Sequence, residues 1–152
     1  MSKLQYFAYP DMGRILLDKH CYNQAVRVGD RIECAGQGGW DPKTGEMKED
    51  IYEEIDQAFE NVELALKNAG GKGWSQVYRV NSYHTDMSHE CLMHMVGHLK
   101  NRMPDHKPIF TCVGVTELGI KGMRVEIEVA AYDEEGAAEV RKVNANATQT
   151  QG

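Results

Sequence analysis

No stretch of the sequence approaches the ~20 consecutive apolar residues that carry a helix across a bilayer, which argues against a helical membrane span. Basic charge is in short supply. The 17 Lys and Arg are outnumbered by 23 Asp and Glu, and a net charge of −6 argues against a binder of phosphate backbones, which draws its affinity from clustered cations. The four cysteines, Cys21, Cys34, Cys91 and Cys112, show no CxxC spacing, so neither a disulfide framework nor a cysteine zinc site is indicated. Met1 to Tyr6 lack the basic and apolar blocks of a signal peptide and the Arg-rich pattern of a transit peptide, so a cytoplasmic location is the expectation. No internal repeat or linker divides the 152 residues, a length suited to one domain.

Local patterns place the elements. Gln24 to Val28 and Arg31 to Ala35 read as a hairpin around Gly29-Asp30. The glycines of Gly36-Gln37-Gly38-Gly39-Trp40-Asp41-Pro42 are not followed by Lys-Ser/Thr, so the segment is no phosphate loop; they suit tight turning or close approach of another chain segment. Ile51, Ile55, Phe59, Val62, Leu66 and Ala69 recur at helical spacing, and Gly70-Gly71 supplies a stop, which predicts a helix over 51–69. A strand over 76–84 follows. A second helix starts near Asp86 or Ser88, buries Cys91, Leu92, Met95, Val96 and Leu99, and ends before Pro104.

Two alternating runs complete the domain. Ile109, Val113 and Val115 share one side of the first, leaving Phe110, Cys112 and Gly114 on the other. Val125, Ile127, Val129 and Ala131 share one side of the second, leaving Arg124, Glu126 and Glu128 opposite. Read together, they predict a polar cleft in which Cys112 stands beside the charges, or else a solvated sheet face. The fold class is α+β, with two helices packed on one face of a mixed sheet, the other face wet or covered by oligomerisation. Residues 1–132 form the domain; 133–152 are a polar tail, frayed from Asn144.

Candidate chemistry follows from these faces. Glu128, between Ile127 and Val129, can orient or activate water if partial burial tunes its pKa; the alternative is a salt bridge to Arg124 or Arg79. Cys112 is either a nucleophile, which needs a base or cation to form its thiolate, or a buried structural thiol. Tyr22 and Trp40 stand near glycine-rich backbone, as an aromatic wall or as plain core. His84 reads as a strand-end surface residue. His94 and His98, four apart on a helix, can share a metal, but no third ligand stands at a telling spacing, and no metal is expected.

Several short motifs, in order, carry a resemblance. Tyr22-Asn23-Gln24-Ala25-Val26 with Gly29-Asp30, Gly36-Gln37, Asp41-Pro42 with Thr44-Gly45-Glu46, Asn61-Val62 with Leu66 and Ala69-Gly70, Cys112-Val113-Gly114-Val115, and Val125 to Val129 together resemble the YjgF/YER057c/UK114 family, also called Rid or endoribonuclease L-PSP. The resemblance runs from about Tyr22 to Tyr132. It implies a chorismate-mutase-like fold, a homotrimer with small-molecule clefts between subunits, and no metal or organic cofactor. In the best-known branch it implies hydrolysis of 2-imino or enamino acids to 2-keto acids and ammonia. Residue by residue, it makes Tyr22 the cleft tyrosine, Gly36 the glycine whose backbone lines the cleft, Cys112 the strand cysteine, and Glu128 the carboxylate that places water. The deaminase branch has a carboxylate-binding arginine two positions before the cysteine, where this chain has Phe110, which cannot clamp a carboxylate. An imine or enamine hydrolase with altered substrate choice is therefore the first expectation. Arg124 is a candidate replacement charge, and Phe110 with Trp40 a candidate surface for a flat ligand. A non-catalytic trimer that binds a metabolite is the alternative, and a single-strand ribonuclease stands third because of the acidic charge.

Overall fold

Six strands, β1 (Gln5–Phe7), β2 (Ala25–Val28), β3 (Arg31–Cys34), β4 (Val77–His84), β5 (Ile109–Gly114) and β6 (Val125–Tyr132), form one mixed sheet in the order β1-β2-β3-β6-β4-β5. Four helices accompany it: α1 (Met12–His20), α2 (Ile51–Asn68), α3 (His89–Arg102) and α4 (Glu134–Gln149). The computed structural model describes residues 2–149, with side chains as far as 142. Neighbouring strands are antiparallel except β4 and β5, which run parallel and are joined by α3 as the crossover that parallel pairing requires.

The two expected helices lie on one face of the sheet. Asp50 caps α2, its carboxylate accepting from the Tyr52 and Glu53 amides at 2.9 and 3.0 Å. The stripe Ile55, Ala58, Phe59, Val62, Ala65 and Leu66 is buried in one cluster with Ile32, Val80, Ile127 and Val129 of the strands. Ser88 caps α3 through the Cys91 amide at 3.3 Å, and of its apolar positions Cys91 and Met95 are fully buried while Leu92, Val96 and Leu99 are half-buried.

Two helices go beyond the sequence reading. Helix α1 has no side-chain cap and is held by packing, with Leu16 clustered against Trp40 and Met123. Helix α4 occupies residues read as a polar tail. It is anchored by Asp133, whose carboxylate pairs with buried Arg27 at 2.7 Å, and by buried Ala137. Of the segment from Asn144 onward, the backbone as far as Gln149 is helical, and 150–152 lie outside the described residues.

The face assigned to β5 is reversed. Its register sets Phe110 beside Val80 and Cys112 beside Ser82, on the helix side, whereas Ile109, Thr111 and Val113 share the open face with Asn81, Tyr83, Glu126 and Glu128. β5 is an edge strand whose residues are all exposed or half-exposed. Burial therefore does not select its apolar side, and pairing with β4 does. His84 is also corrected. It is 1% exposed, its Nε2 lies 2.9 Å from Ser82 Oγ, and burial lowers its pKa.

Candidate functional site

A cleft forms where the Gly-rich segment after β3 meets the start of β6. The Gln37 amide donates to the Ile127 carbonyl at 2.9 Å, and the Ile127 amide returns a bond of the same length. Buried Asn61 of α2 donates from Nδ2 to the carbonyls of Gly38 and Trp40, both at 2.8 Å. Beneath the segment runs a buried polar chain. Trp40 Nε1 donates to the Tyr9 hydroxyl at 3.2 Å, Tyr9 donates to Gln37 Oε1 at 2.9 Å, and Gln37 Nε2 donates to Gln24 Oε1 at 2.9 Å. The chain ends at Gln24, whose Nε2 is buried without a partner, so the Trp40, Tyr9 and Gln37 groups are the satisfied part that fixes the segment's arrangement.

This scaffold presents Gly36 to Glu126. A β-carbon built on Gly36 would stand 2.6 Å from both Cγ and Cδ of Glu126, so no larger residue fits without displacing the carboxylate. Gly36, Tyr22, Trp40 and Glu126 line a cavity of about 150 Å³ with Leu16 and His20 of α1 and with Ile120 and Met123. Burial, then the nearby charge of Glu128, raises the Glu126 pKa. No hydrogen-bond donor among the described residues contributes to that shift. Burial likewise raises the Tyr22 phenol, and the nearby charge of Glu126 adds to it.

Glu128, the carboxylate chosen from sequence, is engaged through one of its oxygens. Its Oε1 accepts from Asn81 Nδ2 at 2.8 Å and from the Tyr83 hydroxyl at 3.2 Å, and neither Arg124 nor Arg79 pairs with it. Glu126 was legible on the same strand face, but the signal that singles it out is its apposition to Gly36, which depends on the fold. His20 was not found because α1 carries no strong local pattern.

Arg124 is committed elsewhere. Its Nε lies 2.6 Å from Oε2 of fully buried Glu54, its amide donates to Glu54 Oε1 at 2.6 Å, and Nη2 donates to the Lys48 and Glu49 carbonyls. It anchors the start of β6 on α2 and supplies no replacement charge to the cleft. Trp40 is 2% exposed, which leaves no open ring face for a flat ligand to stack on.

Phe110 and Cys112 do not join this cleft within one chain. β4 separates β5 from β6, which sets Cys112 roughly 10 Å from that strand and on the opposite face. The Cys112 thiol contacts Met87 Sδ at 3.9 Å. Phe110 is 37% exposed, along an edge that also shows Ile109 at 66% and Val113 at 40%.

The family model for endoribonuclease L-PSP matches residues 16–133. A RutC family protein of Pyrococcus horikoshii is 36% identical over 114 residues, covering 74% of this chain and 87% of that protein. A protein of Dermatophagoides farinae named 2-iminobutanoate/2-iminopropanoate deaminase is 35% identical over 108 residues, covering 70% of this chain and 81% of that protein. Among solved structures, RidA from an Antarctic Psychrobacter superposes with a TM-score of 0.68 at 28% identity, covering 87% of this chain and 99% of that one. No helix among the described residues is long and apolar enough to cross a membrane.

Proposed function

Because the chain belongs to the endoribonuclease L-PSP (YjgF/YER057c/UK114, or Rid) family, we propose that it hydrolyses the C=N bond of a small imine, or of the enamine in equilibrium with it, in the cleft of Tyr22, Gly36 and Glu126. The observation that carries this reading is the Glu126 carboxylate: half-buried, raised in pKa, and held against the Gly36 backbone. A carboxylate whose pKa lies nearer neutrality is the better partner for proton transfer. Glu126 takes a proton from water as the water oxygen attacks the imine carbon, and delivers that same proton to the imine nitrogen. The resulting carbinolamine collapses, leaving a carbonyl compound and ammonia. Tyr22 borders the reacting carbon, and Gly36 leaves backbone groups within reach of the substrate. The role read from sequence for Glu128 passes to Glu126, with Glu128 holding Asn81 and Tyr83 in place.

The relative named as a deaminase supports the reaction class. The edge position of β5 supports a homotrimer, since Cys112 and Phe110 reach a Tyr22–Glu126 cleft only from another copy, and the apolar side chains of that edge would be covered there. Phe110 then brings a ring where the deaminase branch has a cation, which favours aromatic or uncharged imines over carboxylate-bearing ones. The same substitution favours the second reading, a trimer that binds a metabolite without turning it over. The net charge of −6 sets ribonuclease action last.

The test is carbonyl and ammonia release from imines generated in situ by an amino-acid oxidase, with aliphatic and aromatic amino acids, against the spontaneous rate. Acceleration that survives Glu128→Gln and is lost in Glu126→Gln supports the proposal. Acceleration indifferent to Glu126→Gln overturns the assignment, and no acceleration with any imine leaves the metabolite-binding trimer.

A further inference from the structure

His94 and His98 lie one turn apart on α3, and as a pair they lack the additional ligand that a metal site needs. The fold supplies it. Asp56 of α2 faces both rings, and its Oδ1 lies 2.6 Å from each Nε2. These three side chains converge so that their ligand atoms all lie within 4.8 Å of one another. We propose that Asp56, His94 and His98 form a binding site for a divalent transition-metal cation such as Zn2+, clamping α2 to α3 on the helix side of the sheet.

The donor set is chemically apt. Two neutral imidazoles and one carboxylate suit a borderline cation, and three protein ligands leave a fourth tetrahedral position for water. The rings are held in place before any ion arrives. His98 stacks on Phe59 with ring centroids 4.3 Å apart and planes 14° apart, and Tyr52 meets His94 edge-on at 5.1 Å. The site is open. It sits in a groove of about 520 Å³ bordered by Met93, Gly97 and Asn101, and the Asp56 side chain is 51% exposed. Gly97 is a glycine inside a helix, which costs roughly 0.5–1 kcal/mol relative to alanine. Nothing stands within 4 Å of where its β-carbon would be, so packing does not require it; its bareness keeps the groove clear between the two histidines.

Without an ion, both Nε2 atoms share one carboxylate oxygen. Metal bonds of ~2.0–2.1 Å require ligand atoms about 3.3 Å apart in a tetrahedron, so Asp56 Oδ1 must draw back from each ring nitrogen by less than 1 Å, while the two ring nitrogens, within 4.8 Å of each other, come to the same spacing. Half-exposed Asp56 can make that movement by rotating its side chain. The proton on each ring then resides on Nδ1. His98 Nδ1 at present accepts from Arg102 Nε at 3.4 Å, a contact that binding breaks, while Arg102 keeps its Glu60 partner and its place over the Phe59 ring. The groove lies on the helices, whereas the open sheet face carries Glu126. Ion binding and imine hydrolysis are therefore separable.

The test uses the full chain, freed of any affinity tag. Zn2+ is titrated by calorimetry and by competition with a chromophoric chelator, and histidine ring nitrogens are followed by NMR. One Zn2+ per chain, a Zn2+-dependent rise in melting temperature, and ring-nitrogen shifts confined to His94 and His98, at Nε2 and Nδ1 alike, are expected. His94→Gln or Asp56→Asn should weaken binding roughly tenfold or more, while His89→Gln leaves it unchanged. Ring shifts in wild-type protein do not depend on any variant folding. No stoichiometric binding, binding equal in His94→Gln and wild type, or ring shifts located at other histidines would each overturn the proposal.

Discussion

Glu126 lies so close over Gly36 that a β-carbon at position 36 would stand 2.6 Å from its Cγ and Cδ. The glycine is thus a condition for the carboxylate's position rather than a free hinge. Gly36→Ala is expected to push Glu126 aside and lower the rate of imine hydrolysis on the order of 100-fold, because small misplacements of a reacting group carry large kinetic cost. Turnover assays paired with thermal unfolding check this: lost rate with a retained fold is the expected result, and an unchanged rate contradicts the proposed cleft.

The raised pKa of Glu126 has a stability consequence with a definite sign. Between the ordinary value of 4.5 and its raised value, the folded chain binds a proton that the unfolded chain has released, so stability falls as pH rises through that window. Glu126→Gln removes the effect. The variant is expected to melt above wild type at pH 7, with the gap closing by about pH 4. Melting curves across that range decide it.

His84 acts in the opposite direction. Burial lowers its pKa below the ordinary 6.5, so between the two values the unfolded chain binds a proton that the folded chain refuses. Stability from this group is complete above 6.5 and is lost as pH falls below it. Urea unfolding at a pH above and a pH below that value should show a drop in wild type that is smaller in His84→Asn.

The Arg27–Asp133 pair joins β2 to the start of α4, with side chains 5% and 2% exposed. Asp133 also accepts from Gln76 Nε2 at 2.8 Å and from the Gly136 amide at 3.2 Å. Asp133→Ala leaves a buried guanidinium without its counter-charge and should cost about 3–5 kcal/mol, measured by urea denaturation. Replacing Arg27 and Asp133 together with apolar residues should cost less than Asp133→Ala alone.

Phe110 is expected to govern substrate choice. Phe110→Arg should raise the rate on carboxylate-bearing 2-imino acids relative to aromatic uncharged imines, read as a change in the ratio of kcat/KM for the two classes. An unaltered ratio places Phe110 outside the substrate's reach.

Helices α2 and α3 were legible in the sequence because their causes are local. Apolar residues recur every three or four positions, Asp50 and Ser88 can cap, and Gly70 and Pro104 stop the chain. The β2–β3 hairpin was equally local, since Gly29 adopts the positive φ of 61° that its turn requires. Helix α1 has no cap of its own and exists because Leu16 finds Trp40 and Met123. The faces of β5 depended on a partner strand, because an edge without burial leaves its alternation no side to prefer. The candidate site was decided in the same way. Residue type and strand parity put Glu126 and Glu128 on one polar face, and only tertiary structure gave Glu128 to Asn81 and Tyr83 and Arg124 to Glu54, leaving Glu126 against Gly36. Local periodicity and turn chemistry act over a few residues, and the sequence alone determined what they determine; which side chain meets which across some ninety positions is settled by packing.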